Sequence, residues 1–270
     1  MKNWDELAAP WLKAEARMEA AHRPVLDAML EKADLQTGHS VLDIGIGSGL
    51  STALAAEAVG QGAGVTGVDV APPFIARAAE RMPDGVTLLE ADAETHDFSG
   101  AGFERAISLF GTMFFGDTQA AFANLRRAMV PGGRFTFAAW APPASNPWLS
   151  IGGQAANAVL GPPAERPDPN APGPFRFALP DTALDALSSS GWQAEVETLD
   201  LTLLPTGTLE EITATQMALG VAASRIAQEE ADAEEVEAIE DAIASRFRQM
   251  QNKAGAVLVP ARIHFFTATA

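Results

Sequence analysis

The sequence of 270 residues contains no cysteine, which removes disulfides, thiolate metal sites and a cysteine nucleophile. Histidine is scarce too, with four scattered copies, so no metal site is expected. No apolar run reaches the ~18 residues that a membrane span needs. The stretch Met1-Lys-Asn-Trp-Asp-Glu lacks the apolar segment of a signal peptide, so a soluble, cytoplasmic protein is expected. Positive charge is the last scarcity: 18 Lys and Arg face 35 Asp and Glu, for a net charge of −17. Nucleic-acid binding depends on basic side chains displacing condensed counterions, so DNA, RNA and anionic membranes are discounted as partners. Eight of the acids fall in Glu229–Asp241, where a solvated helix face explains them better than a binding site.

What remains is 47% apolar, enough for a large core in one elaborated domain. From Trp4 to about Leu35 apolar residues recur at helical spacing, with Pro24 expected to break the stretch into two helices. The next hundred residues alternate short β-branched runs with alanine-rich segments, the pattern of βαβ units around a parallel sheet. Strands are predicted at Ser40–Ile44, Gly64–Asp69, Val86–Glu90, Arg105–Leu109 and Gly133–Trp140. Helices are predicted near Leu50–Val59, Pro73–Arg81 and Thr118–Met129. The segment Ala141–Pro180 holds more than half of the 18 prolines, and is expected to form an ordered lid without ordinary helix. Then follow a helix at Thr182–Ser190, a strand at Gln193–Leu204, a helical stretch at Leu209–Gln251 and a strand at Arg262–Ala268. The expected division is a helical cap (1–39), a core (40–140), the lid (141–180), more core (181–204), a helical insertion (205–261) and the last strand (262–270).

The chemistry concentrates in Val41–Gly49, a predicted strand, then Asp43-Ile-Gly45-Ile-Gly47-Ser-Gly49, then a predicted helix. Glycines permit the tight turn and a close ligand, and the helix start offers free N–H donors. The spacing is Gly-x-Gly-x-Gly, not the Gly-x-Gly-x-x-Gly that accommodates a dinucleotide pyrophosphate. Asp43 would repel a pyrophosphate, but suits a ligand carrying an ammonium and a sulfonium. Asp69, about 20 residues after the turn, can accept hydrogen bonds from both ribose hydroxyls, as in NAD sites. Asp92 follows the third strand and could take an adenine amine, with Val70 against the ring. Each acid alone could be a helix cap or turn residue. All three fall at carboxyl ends of consecutive strands, where open α/β sheets bind ligands, and together they favour an adenosyl ligand.

Val41–Gly49, Gly67–Val70, Glu90–Ala93, Ser108–Phe115 and Val130–Phe137 resemble the successive motifs of the UbiE/COQ5-type class I methyltransferases. Trp4, Trp11 and Asn146-Pro-Trp148 extend the resemblance, which covers most of residues 4–204. It implies an α/β, Rossmann-like, seven-stranded sheet, mostly parallel, in the order 3-2-1-4-5-7-6, with an antiparallel last strand supplied by Arg262–Ala268. It implies S-adenosyl-L-methionine as cofactor and S-adenosyl-L-homocysteine as product. Asp43, Gly45, Ile46 and Gly47 would then hold the methionine end, Asp69 the ribose, Val70, Asp92 and Ala93 the adenine, with Ser108 and Leu109 beneath the methionine. Ile46 and Glu104 depart from the family pattern, where a cysteine or small residue and an aspartate are common.

Methyl transfer is an in-line displacement at an activated carbon, in which positioning and desolvation do most of the work. An oxygen or carbon acceptor needs a base, whereas a thiolate or amine can do without. Of His22, His39, His96 and His264, His22 in the amino-terminal helices is the favoured candidate. Trp11, Phe110, Met113, Phe114, Trp140 and Trp148 are expected to line a largely apolar acceptor pocket, though core packing is their commoner use. Arg166 and Arg176 could meet an acidic group on the acceptor, though solvent exposure is the commoner fate of such residues. A methyltransferase of small molecules is therefore expected, with a non-catalytic or regulatory cofactor-binding protein as the alternative and an NAD or nucleotide-sugar enzyme as a weaker third. A homodimer is left open.

Overall fold

The computed structural model describes residues 4–164, 168 and 170–270. Strand β1 (Val41–Ile44) is buried at every position, as a central strand covered on both faces must be. On one side it pairs in parallel with β2 (Val65–Asp69), which pairs with β3 (Val86–Glu90). On its other side lie β4 (Phe103–Leu109) and β5 (Met129–Trp140), again parallel. The sheet is completed by β6 (Gln193–Leu203) and β7 (Val259–Thr269), and β7 runs antiparallel to both of its neighbours. The order is β3-β2-β1-β4-β5-β7-β6, as expected. β7 starts three residues earlier than its apolar pattern suggested, because its pairing with β6 continues to Val259.

Two helices precede the sheet, α1 (Trp4–Lys13) and α2 (Glu15–Ala33). The break expected at Pro24 is absent. Helix α2 runs through it, and the interruption falls at Ala14. A proline inside a helix costs about 3 kcal/mol, but Val25, Leu26 and Met29 are fully buried beside it, at roughly 1.5–3 kcal/mol each. Burial against the sheet therefore outweighs the lost hydrogen bond. Helices α3 (Leu50–Val59), α4 (Pro72–Ala79) and α5 (Thr118–Ala128) make the crossovers.

The proline-rich segment needs a second correction, since α6 (Pro147–Leu160) is a regular helix within it. Pro147 opens the helix, where a missing N–H costs nothing, and the next prolines follow Gly161 in the left-handed region. Arg166 lies outside the described residues. Beyond it the segment turns back over the β4 loop, where the Gly173 amide donates to the Met113 carbonyl at 3.0 Å.

Helix α7 (Pro180–Ser189) leads into β6. The helical stretch that follows is three helices, α8 (Leu209–Leu219), α9 (Val221–Gln228) and α10 (Ala233–Arg248). Capping boxes at Thr208 and Asp232 start α8 and α10. The acidic face of α10 is largely exposed while Ile239, Ile243 and Phe247 are buried, as expected of a solvated helix. No helix among the described residues is long and apolar enough to cross a membrane.

Asn146 joins β5 to β7. Its amide donates to the Ala141 carbonyl at 2.8 Å and the Arg262 carbonyl at 3.1 Å, and its oxygen accepts from the Arg262 amide at 3.0 Å. The side chain is fully buried, so Asn146→Ala leaves backbone groups unsatisfied. A loss of about 2–3 kcal/mol is expected in urea denaturation; a change below about 0.5 kcal/mol would mean that water replaces the amide.

Candidate active site

The turn after β1 and the loop after β4 touch at the carboxyl end of the sheet. A Cβ added to Gly45 would lie 3.1 Å from the Gly111 Cα, and one on Gly111 would strike the Ile44 carbonyl and Ser108 hydroxyl, both at 2.8 Å. Gly45 and Gly47 have φ of 70° and 54°, which glycine adopts without strain. Ser108 is fully buried and its hydroxyl donates to the Ile44 carbonyl at 2.8 Å, bracing β4 against β1. Leu109 is half-buried beside it. The Ile46 side chain is 5% exposed and its methyl groups crowd Gly67 beneath β2, so only the Ile46 backbone is presented on the turn.

Asp43 is fully buried. One carboxylate oxygen accepts from Ser51 at 2.6 Å and Thr52 at 2.7 Å, both in the first turn of α3, while Oδ1 has no partner among the described residues. Burial pushes the carboxyl up to about 6, against the pull of the two hydroxyls, and the nearby Asp69 charge adds to the rise. Asp69 accepts from the Gly47 amide at 2.9 Å and the Ala71 amide at 3.0 Å, one through each oxygen. It thus holds the turn in shape, and each oxygen retains a lone pair for a further donor. Its pKa is also raised by burial. Val70 is 43% exposed, an apolar surface next to that carboxylate in the chain. Asp92 accepts from the Glu94 amide at 2.9 Å, and the buried Ala93 carbonyl accepts from Asn124. These residues fit S-adenosylmethionine: an unpartnered buried carboxylate oxygen for a cation, open space above Gly47, acceptors for ribose and an exposed apolar face for adenine.

The predicted pocket wall separates into groups. His22, Phe110, Trp140 and Trp148 come together, with His22 5.5, 5.7 and 6.3 Å from the three rings in that order. Phe110 stacks on Trp140 at 4.4 Å and 10°, and holds a φ of 64°, a strained value for an aromatic residue. Trp11 packs edge-on against Phe74 of α4 at 5.4 Å, beside Ala71 rather than in this chamber. Phe114 meets Trp4 at 4.8 Å, and Met113 is buried in the main core. Arg176 is also placed elsewhere than expected. Its guanidinium donates to the Phe115 and Gly116 carbonyls, which ties the lid to the β4 loop.

His22 stands apart from the other histidines. His39 accepts from the Gln36 amide, His96 packs on Phe98, and His264 pairs with Thr198 and Ala178. His22 Nε2 is buried without a partner among the described residues, and burial lowers its pKa to about 4. The sequence did not reveal two further supports. Glu94 accepts from the Gly116 and Asp117 amides at 2.6 and 3.0 Å, fixing the β4 loop from β3. Glu19 of α2 accepts from Ser48 in the glycine turn at 2.7 Å and from Arg81 at 2.5 Å. Both are single acids paired across long sequence separations, and no local pattern marks them. Glu104 uses its departure from the family pattern to accept the Ser40 amide at 3.0 Å, bracing the start of β1.

The folded chain holds the Asp43 proton more tightly than the unfolded chain does, so the linked stability is complete below about pH 3.8 and is lost as pH rises through about 6. Wild type should therefore lose roughly 2 kcal/mol relative to Asp43→Asn between pH 4 and 7 in parallel denaturation series. Equal pH slopes would show that Asp43 is ionised at its ordinary pKa.

Residues 41–133 match a family model described as a methyltransferase domain. The chain is 30% identical over 183 residues to the nocamycin O-methyltransferase of Saccharothrix syringae, covering 63% of this chain and 65% of that protein. It is 36% identical over 124 residues to the demethylmenaquinone methyltransferase of Thermus thermophilus, covering 45% and 54%. The chain thus spans between half and two thirds of these relatives. Among solved structures, the YcgJ protein of Bacillus subtilis shares the fold at a TM-score of 0.57 and 18% identity, over 92% of this chain and 98% of that one.

Proposed function

We propose that this chain, whose residues 41–133 match the family model of a methyltransferase domain, is an S-adenosylmethionine-dependent methyltransferase acting on a small, largely apolar acceptor. The observation that carries the proposal is the buried Asp43 carboxylate with its unpartnered oxygen at the glycine turn. A buried carboxylate with one oxygen unpaired is costly to ionise, and a cationic ligand relieves that cost. Asp43, Gly45, Gly47 and the Ile46 backbone would hold the methionine end, with Ser108 and Leu109 below it. Asp69 would take the ribose through its remaining lone pairs, and Val70, Asp92 and Ala93 the adenine. When bound, S-adenosylmethionine supplies a methyl group on a positively charged sulfur and becomes S-adenosylhomocysteine.

The protein's own part is to position the acceptor and exclude water. Phe110, Trp140 and Trp148 would form its aromatic wall, since Phe110 stacks on Trp140 and immediately precedes Gly111, whose Cα approaches the cofactor turn at Gly45. The relatives are named for different compounds, so their acceptors are not transferred to this chain. Oxygen, sulfur, nitrogen and carbon nucleophiles all remain within the proposal.

Two measurements test it. Asp69→Ala should weaken S-adenosylmethionine binding by roughly 1–3 kcal/mol in calorimetry, from the loss of ribose hydrogen bonds and of the brace on the Gly47 amide. Wild-type affinity should rise between pH 5 and 7, as Asp43 loses its proton and can meet the cofactor ammonium. Absence of any binding by the wild type would sink the proposal, and a pH-independent affinity would remove Asp43 from it.

A further inference from the structure

A serine or threonine inside a helix commonly returns its hydroxyl to the carbonyl four residues back, the nearest free acceptor once the side chain is buried. Thr213 and Thr215 of α8 do this, donating to the Leu209 and Glu211 carbonyls at 2.8 and 2.9 Å. Ser51 and Thr52 of α3 do not. Both are buried, and both donate to the Asp43 carboxylate, across the turn that separates β1 from α3. They converge on one oxygen, Oδ2, and leave Oδ1 without a partner among the described residues. A pin between strand and helix alone needs no acid at position 43, since a neutral amide would accept the same bonds without the cost of a buried charge. Hydrogen bonds to an ionised oxygen are roughly twice as strong as those to a neutral one, so two donors on Oδ2 favour the charged carboxylate.

We infer that Ser51 and Thr52 are positioning residues of the cofactor site, whose hydroxyls clamp Oδ2 of Asp43, keep the group charged and reserve Oδ1 for the ammonium of the ligand. The inference rests on the methyltransferase proposal for the identity of that ligand, whereas the clamp lies wholly within the chain. Burial pushes Asp43 toward its neutral form, and the Asp69 charge at the end of β2 pushes the same way. Level with Asp43, the flanking strands place Gly67 and Ile107, which carry no charge. Glu19 of α2, which reaches the turn at Ser48, is paired with Arg81. The opposing pull comes from the two hydroxyls, with the Ile44 amide as a smaller contributor. Hydroxyls also suit a site that takes a cation. A lysine or arginine in their place would hold Asp43 charged but would repel the ligand's own charge at short range.

Carboxyl NMR titration of the ligand-free protein, with the Asp43 signal identified by its loss in Asp43→Asn, reads the clamp directly. The wild-type midpoint should lie near pH 6. In Thr52→Val and in Ser51→Ala, each lacking one hydroxyl, it should rise by about one pH unit, while Thr52→Ser should keep the wild-type value. Calorimetry with S-adenosylhomocysteine then reads what the clamp does for binding. Thr52→Val should bind about fivefold more weakly than wild type at pH 6 and within about twofold of it at pH 8, where both carboxyls are ionised. An unmoved midpoint in either variant would overturn the inference. So would a deficit of equal size at both pH values, because a hydroxyl that only packs weakens binding without regard to pH. Raised midpoints together with no S-adenosylhomocysteine binding by wild type at any pH would instead overturn the methyltransferase proposal and leave the clamp standing.

Discussion

The close approach of Gly45 to Gly111 is the constraint on which the site depends. Parallel pairing sets β1 beside β4, and the Ser108 hydroxyl on the Ile44 carbonyl draws their carboxyl ends together. Side chains at either glycine would force the two loops apart. With them in contact, the turn that carries Asp43 and the loop that carries Phe110 share one edge of the sheet. Glu94 and Arg176 hold the β4 loop from two further directions, so its strained Phe110 backbone is fixed by contacts outside the loop.

Burial does the electrical work. Asp43 and His22 are opposite cases of one effect, since each is buried and each is pushed toward its uncharged form. For the acid this leaves an oxygen able to gain from a cation. For the imidazole it leaves a hydrogen-bonding group without a charge among the rings of Phe110, Trp140 and Trp148. The −17 net charge lies largely elsewhere, on faces such as that of α10, and acts on solubility rather than on the site.

Much of the fold was legible because local chemistry and tertiary role agree. Helix α3 has the predicted bounds, since Gly49 and Gly60 bracket an alanine-rich run, and β3 does too. Pro24 was misjudged because a local cost was weighed without the apolar stripe that opposes it, and that stripe has value only against the sheet. Helix α6 was missed because prolines were counted over a segment, while their positions, at its first residue and beyond its last, are compatible with a helix.

The sequence by itself determined the strand positions, the glycine turn and the three acids at strand ends, because spacing along one chain sets which backbone groups a ligand can reach, whereas the strand order came only through the family resemblance. Only the tertiary structure decided which aromatic residues share a chamber. Trp11 and Trp148 look alike in sequence, yet one packs on α4 and the other beside His22, since helix placement rather than residue type chooses their neighbours. The unpaired nitrogen of His22 was invisible for the same reason: a missing partner is a property of everything packed around a group, and no single segment encodes it.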